Sequence, residues 1–264
     1  MKLQVLAAVI NQNNHDILND MRIESDAIII NQCDRNLFEE FSYKGNKIKF
    51  LSFNEKGVGL SRNNALMRAT ADICVFADED EEFEEGYAGV IIDEFQENPK
   101  ADIILFNLRS GNSLRELPHN KRFKRLRYFN CLKYGAVQMA VRLESIRMAG
   151  VTFSLLFGGG AYYGAGEDSL FIAESIRKKL RVYASSKFIG FVKQEASSWY
   201  NGYTEKYFID KGAFYSVLSP TFSYFLSLYF AAKHWKKYKK EQSFLNAMCL
   251  MSKGRKSIGG HIVK

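Results

Sequence analysis

Short apolar runs alternate with helix-forming stretches over the first 110 residues. Leu3–Ile10, Ala27–Ile30, Ile48–Phe53, Ile73–Ala77 and Ile103–Asn107 have strand character and predict buried strands. Between some of them lie Gly59–Ala69, rich in helix formers, and Gly86–Gln96, which runs toward Pro99; both predict helices. Strand–helix–strand alternation at this spacing predicts an α/β fold, a mostly parallel central sheet flanked by helices. Ligands of such sheets bind beyond the carboxyl ends of the strands, so Asn11–Asn14, Asn31–Asp34, Asn54–Arg62 and Asp78–Phe83 are the segments where chemistry is expected.

The pattern then changes. Residues 111–140 form a basic connector centred on PHNKRFKRLRYF. Arg142–Ala149 predicts a helix stopped by Gly150, and Glu167 to about Lys179 predicts another, with its acids in the first turn and its bases in the last, as the helix dipole favours. Arg181–Ala184 predicts a short strand. Ala213–Ala232 is dense in Phe, Tyr and Leu and is followed by KHWKKYKK. That pairing fits a peripheral membrane contact through residues 213–240, set against an ordinary amphipathic helix pair. Interruption by Ser216, Ser219, Pro220 and Ser223 argues against a membrane-crossing span. A division follows: residues 1–212 as the α/β domain and 213–264 as a helical, basic, aromatic extension.

Composition adds three constraints. Among 264 residues 47% are hydrophobic and only 3 are Pro, which excludes low-complexity and largely disordered classes. Cys33, Cys74, Cys131 and Cys249 are scattered, with no CxxC pair, so a zinc site or disulfide scaffold is not expected and a reducing, cytoplasmic setting is. The apolar N-terminus lacks a small-residue cleavage site and reads as a first strand. The net charge of +8 conceals an asymmetry: residues 1–110 hold 11 Lys and Arg against 20 Asp and Glu, and residues 111–264 hold 26 against 9. An acidic half can collect a metal, and a basic half can meet phosphates or an anionic surface.

Three segments carry candidate chemistry. In FADEDEEF (Phe76–Phe83) the chain leaves a strand into Asp78-Glu79-Asp80, and two carboxylates at a strand end can face one Mn²⁺ or Mg²⁺ bridging a diphosphate. The plain alternative is a solvated acidic loop. In Asn54–Ile73 two glycines, Gly57 and Gly59, precede Ser61-Arg62-Asn63 and a helix. Gly allows close backbone approach and Arg offers a fork of donors to phosphate. Neither a dinucleotide fingerprint nor a P-loop is complete there. In Phe157–Phe171 a glycine-rich stretch leads into Glu167-Asp168, where free N–H groups and the helix dipole hold a carboxylate ionised as a general base; an ordinary N-terminal acidic turn is the alternative.

Taken together, Gly57–Asn63 with its helix, Ala71–Phe83 with Asp78 and Asp80, and Gly166–Phe171 resemble the nucleotide-sugar glycosyltransferases of family 2, which have the GT-A fold. Phe157–Phe171 and Ser197–Gly212 resemble members that build bacterial surface polysaccharides. The resemblance implies inverting transfer of a sugar from a nucleoside diphosphate, a UDP-sugar by expectation, to a hydroxyl of a glycan or lipid-linked acceptor at the inner face of the cytoplasmic membrane. It implies a hexosyl or N-acetylhexosaminyl transferase. Asp80 with Asp78 would hold Mn²⁺ or Mg²⁺. Asp168 would be the base, with Glu167 second. Asn11, Gln32, Gly57, Arg62, Asn63 and Asp78 would bind the nucleotide sugar, with Arg62 near the phosphates. The family often has an Asp pair after the second strand; this chain has Asn31-Gln32, whose amides can still meet a pyrimidine edge. The alternatives are a nucleotidyltransferase of related architecture, and a non-catalytic module using the basic stretch on phosphates or nucleic acid; the basic stretch is better read as a loop over the cleft, with no nucleic acid bound.

Overall fold

In a computed structural model, residues 1–112, 117, 119–193 and 202–262 are described. The part of the Ser197–Gly212 segment before Gly202, and Pro118 of the basic stretch, lie outside the described residues. The chain divides into two units: Met1–Leu155 with Glu167–Ala196, and Leu156–Gly166 with Ser197–Lys264.

The first unit is built on a 10-stranded sheet. Its strands are β1 (Leu3–Ile10), β2 (Asp26–Gln32), β3 (Leu37–Tyr43), β4 (Asn46–Phe53), β5 (Ile73–Asp78), β6 (Glu81–Phe83), β7 (Ile103–Ser110), β8 (Lys124–Arg125), β9 (Met139–Arg142) and β10 (Val182–Val192). They follow the order β3-β4-β2-β1-β5-β9-β7-β10-β6, with β8 on β10. β4, β2, β1 and β5 are parallel neighbours; β9 is inserted antiparallel between β5 and β7, and β7 and β10 are again parallel. Six strands therefore point one way, and the expected mostly parallel sheet is present. The helices are α1 (Ile17–Asp20), α2 (Val58–Arg68), α3 (Tyr87–Glu97), α4 (Leu143–Ala149) and α5 (Glu167–Arg177).

Burial explains the strand sequences. β1 and β5 lie in the middle with helices on both faces, so they read as unbroken apolar runs rather than alternating ones, and Val5, Leu6, Val75 and Phe76 are fully buried. β3 is an edge strand, joined to β4 by the two-residue turn Lys44-Gly45, where both residues have positive φ and the turn's twist matches that of the strands. Its Glu39 and Glu40 keep the edge charged. The basic stretch is not wholly loop: Lys124–Arg125 pairs with Tyr183 and Ala184, and Phe123 stacks on Tyr183 with centroids 5.0 Å apart.

The second unit contains α6 (Glu205–Leu218), α7 (Ser223–Tyr238) and α8 (Phe244–Ile262) around Phe208, Phe230, Tyr238, Ala247 and Met251. Residue 213, where the extension was expected to begin, lies inside α6. Pro220 falls between α6 and α7, where its missing N–H breaks no helical hydrogen bond. Among the described residues no helix is long and apolar enough to cross a membrane.

Candidate functional site

Strand order reverses direction at β1, whose neighbours are β2 and β5, and the crevice beyond the carboxyl ends of these strands is where such sheets place ligands. The chain ends are knitted there by amides. Asn31, fully buried, accepts from the Gln12 N–H and donates to the Gln12 carbonyl, both at 2.9 Å, and donates to Ser52 Oγ at 3.0 Å. Neighbouring Gln32 accepts from the Gly57 N–H at 2.8 Å, tying the end of β2 to the start of α2. Asn11 is exposed at the mouth, with a positive φ of 52° and its N–H on the Gln32 carbonyl at 2.9 Å.

Helix α2 carries Arg62 into the interior. Gly59 lets the helix approach the chain around Phe153, because a Cβ at Gly59 would stand 2.5 Å from the Ser154 carbonyl oxygen. Asn63 locks the same approach: its amide donates to the Phe153 carbonyl at 2.9 Å and accepts from the Phe153 N–H at 2.8 Å. The Phe153 ring then packs beneath the Arg62 guanidinium, 5.4 Å from its centre, and stacks on Phe171 of α5 at 4.3 Å. Asn63 and Phe153 thus build the floor on which Arg62 rests.

Arg62, expected beside the donor phosphates, has its Nη groups among carboxylates. Nη2 donates to both oxygens of Asp78, at 2.9 and 3.0 Å; Nη1 donates to Asp168 at 2.7 Å and Glu167 at 3.2 Å. Its side chain is 3% exposed, Glu167 6%, Asp168 20% and Asp78 33%, so the cluster is deep at the arginine and opens at the aspartates. Its Nε has no hydrogen-bond partner among the described residues. Asp168 also accepts from the backbone N–H of Ala136, beside Gly135. Four of the predicted site residues, Arg62, Asp78, Glu167 and Asp168, therefore meet as one group.

One cation faces three carboxylates here. Burial alone would pull the Arg62 guanidinium down, but Asp78, Asp168 and Glu167 hold it well above its ordinary value. The acids respond oppositely. Burial, reinforced by Asp168 and opposed by Arg62, pushes Glu167 up to about 7. Burial raises Asp168 as well, again opposed by Arg62 and reinforced by Asp78. The dipole at the start of α5 does not outweigh desolvation, and both carboxyls of the pair are held above their ordinary values.

Asp80 lies two residues beyond Asp78, half-buried, on the turn into β6. Glu81 turns inward on that strand; both its oxygens are buried without a hydrogen-bond partner among the described residues, and burial, then Asp78 and Asp80, push its carboxyl well above the ordinary range. Among the described residues no three His, Cys, Asp or Glu side chains are grouped to hold a metal. Both oxygens of Asp78 accept from Arg62, so Asp80 is the hard oxygen donor of the expected pair that is not on that guanidinium.

Sequence reasoning missed Phe153, which has no motif, and the burial of Glu81, which follows from the register of β6. It expected the Asn31 amide at a pyrimidine edge, whereas Asn31 is fully buried with its amide on Gln12 and Ser52.

The fold is similar to that of S. aureus TarS. A structure of TarS 1–349 in complex with UDP-GlcNAc is 16% identical and has a TM-score of 0.63, covering 94% of this chain and 79% of that one. The complex of the same TarS piece with UDP is 14% identical, TM-score 0.63, covering 92% and 76%. A further TarS structure is 15% identical with a TM-score of 0.60, and this chain spans 44% of it. No curated protein matches the sequence. Residues 3–157 match the family model described as glycosyl transferase family 2. That match takes in β1 to β9, Arg62, Asp78 and Asp80 and more than half of the chain: the protein belongs to glycosyl transferase family 2.

Proposed function

We propose that the protein transfers a hexosyl or N-acetylhexosaminyl group from a UDP-sugar to an acceptor hydroxyl with inversion, in the synthesis of a surface glycan at the inner face of the cytoplasmic membrane. The observation that carries this reading is the single guanidinium joining Asp78, at the carboxyl end of β5, to Asp168 at the start of α5. The TarS complexes with UDP-GlcNAc and UDP support a uridine donor.

In this reading the donor lies beyond β1, β2 and β5. The side-chain NH₂ of Gln32 makes no hydrogen bond among the described residues and offers a donor to a pyrimidine carbonyl, with Asn11 at the mouth. Gly57, whose N–H Gln32 holds, sets the backbone at the nucleotide's edge. Asp80 would hold Mn²⁺ or Mg²⁺, which supplies Lewis-acid neutralisation of the departing diphosphate. Asp78, oriented by two hydrogen bonds from Arg62, faces the ribose or diphosphate.

Asp168 is the base. The acceptor oxygen attacks the anomeric carbon from the face opposite the diphosphate. The bond from that carbon to the diphosphate oxygen breaks, and its electron pair leaves with the nucleoside diphosphate. The acceptor's proton passes to Asp168, whose carboxylate is part exposed while Glu167 behind it is not. Arg62 and the Ala136 N–H orient Asp168 for that transfer.

The test is a panel of nucleotide sugars incubated with the protein, with and without Mn²⁺, reading nucleoside diphosphate release. Release from a UDP-sugar that requires the metal is expected. Turnover of a different nucleotide's sugar with none from any UDP-sugar would overturn the uridine donor, and no release from the whole panel would overturn the donor class.

A further inference from the structure

The second unit carries a cleft of about 290 Å³ lined by Ser216, Pro220, Ser223, Ser252, Arg255 and Lys256. Three hydroxyls and two cations face it, and no acid lines it. Arg255 is held in place: its Nε donates to Ser223 Oγ at 3.2 Å, and its guanidinium lies over the Tyr224 ring, 5.4 Å from the centroid. Ser223 is itself buried and anchored to the Pro220 carbonyl at 3.0 Å. The two Nη groups of Arg255 have no hydrogen-bond partner among the described residues, and Lys256 makes no ion pair among them. A guanidinium fixed by a ring and one hydrogen bond, with its other fork donors open, is pre-organised for phosphate oxygens.

The neighbouring surface of α7 specifies what carries the phosphate. Phe222, Phe225, Tyr229, Lys233 and Lys236 follow one another at three- and four-residue steps and are all exposed, so they form one stripe. Phe222, Phe225 and Tyr229 are each more than 60% exposed. The helix contains no acidic residue, and Lys237, Lys239 and Lys240 extend its cationic end. Exposed rings leading into lysines, beside a cationic cleft, complement the acyl–headgroup boundary of an anionic bilayer.

We infer that the C-terminal helical unit binds anionic phospholipid, seating a headgroup phosphate between Arg255, Lys256 and Ser223 while Phe222, Phe225 and Tyr229 enter the interface. This goes beyond the donor chemistry and does not depend on it. It also adds two residues of α8, Arg255 and Lys256, to a contact expected of the 213–240 stretch alone.

The experiment is co-sedimentation of the full chain with vesicles of phosphatidylcholine alone, or mixed with phosphatidylglycerol, at low and high salt. Binding to the anionic vesicles only, weakened by salt, is expected. Arg255→Gln with Lys256→Gln should lower the partition coefficient about 25-fold, at roughly fivefold per charge near an anionic surface. Phe225→Ser with Tyr229→Ser should also lower it while leaving its salt dependence. Lys44→Gln with Lys47→Gln, on the β3–β4 hairpin, should leave it unchanged. Circular dichroism of each variant reports whether the helices persist. A second arm follows thermal unfolding with inorganic phosphate. Protection by phosphate without vesicle binding would overturn the lipid in favour of a free phosphorylated ligand. A protein that stays in the supernatant under every condition, or an equal loss in the Lys44/Lys47 variant, would also overturn it.

Discussion

Arg62 Nη1 donates to Asp168 at 2.7 Å across 106 positions of sequence, while Nη2 of the same side chain chelates Asp78. The carboxylate at the end of a central strand and the carboxylate at the start of α5 are thus parts of one electrostatic unit. Moving either changes the field at the other. The planar fork fixes the two carboxylates at set angles from separate nitrogens, whereas an ammonium's three donors radiate from one nitrogen on a flexible stem.

Arg62→Lys should therefore keep the charge and lose the connection. Arg62→Met, which fills the space and leaves three acids uncompensated, should cost about 3–5 kcal/mol, as breaking buried ion pairs does. Arg62→Lys should fall between wild type and Arg62→Met in stability, with turnover lost in both. Urea unfolding alongside a diphosphate-release assay checks this. An Arg62→Lys protein with wild-type turnover would remove the fork from the mechanism.

Glu167 makes stability depend on pH in a stated direction. Its folded carboxyl is pushed up to about 7 from an ordinary 4.5, so the folded chain holds that proton more tightly than the unfolded chain. Its contribution is fully present below 4.5 and is lost as pH rises toward about 7. The amount lost should be on the order of 2 kcal/mol. Glu167→Gln cannot lose that proton and should flatten this segment of the stability profile. Urea midpoints of both proteins across the window decide it; parallel profiles would show that Glu167 ionises normally.

Much of the sheet is legible in the sequence because its centre is buried on both faces. β1 and β5 need apolar residues at every position, and such runs stand out. β3 does not, because an edge strand carrying Glu39, Glu40 and Ser42 resembles a polar loop; its local sign is Lys44-Gly45 between two strand-forming stretches. β9 was missed because its four residues straddle the end of the basic connector and the start of the expected helix and carry no period. At the site, the residue types were legible and their meeting was not. Arg62 reads as a phosphate ligand when its environment is unknown, and only the fold shows three carboxylates converging on it. Glu81 reads as one more acid in a solvated run until β6 turns alternate side chains inward.

Asp80 should separate metal from nucleotide. With Asp78 held by Arg62, the cation rests on Asp80 in the proposed reading. Asp80→Asn should nearly abolish turnover and remove the gain in nucleoside diphosphate affinity that Mn²⁺ gives, while leaving affinity without metal unchanged. Titration calorimetry with UDP in the presence and absence of Mn²⁺ measures both. Equal affinity in the wild-type protein with and without the ion would dismiss the metal altogether.

Asp168→Asn tests the base and its environment together. The amide keeps the shape and can still accept from the Ala136 N–H, but it cannot take a proton. It also removes one negative charge from a group that holds three against one, so Glu167 loses the neighbour that helps push its carboxyl up. Turnover should fall by roughly two to four orders of magnitude, the usual worth of a positioned base. Nucleotide affinity should stay within a few-fold, because Asp78 and Asp80 are untouched. The residual activity should lose the rise toward neutral pH expected of the wild type as its raised carboxyls deprotonate. The pH profile of turnover distinguishes this from simple unfolding, which would lower activity at every pH alike. If Asp168→Asn retains wild-type turnover while Glu167→Gln is inactive, the base is Glu167, and the acceptor must then reach deeper than the present exposure of the two carboxylates allows.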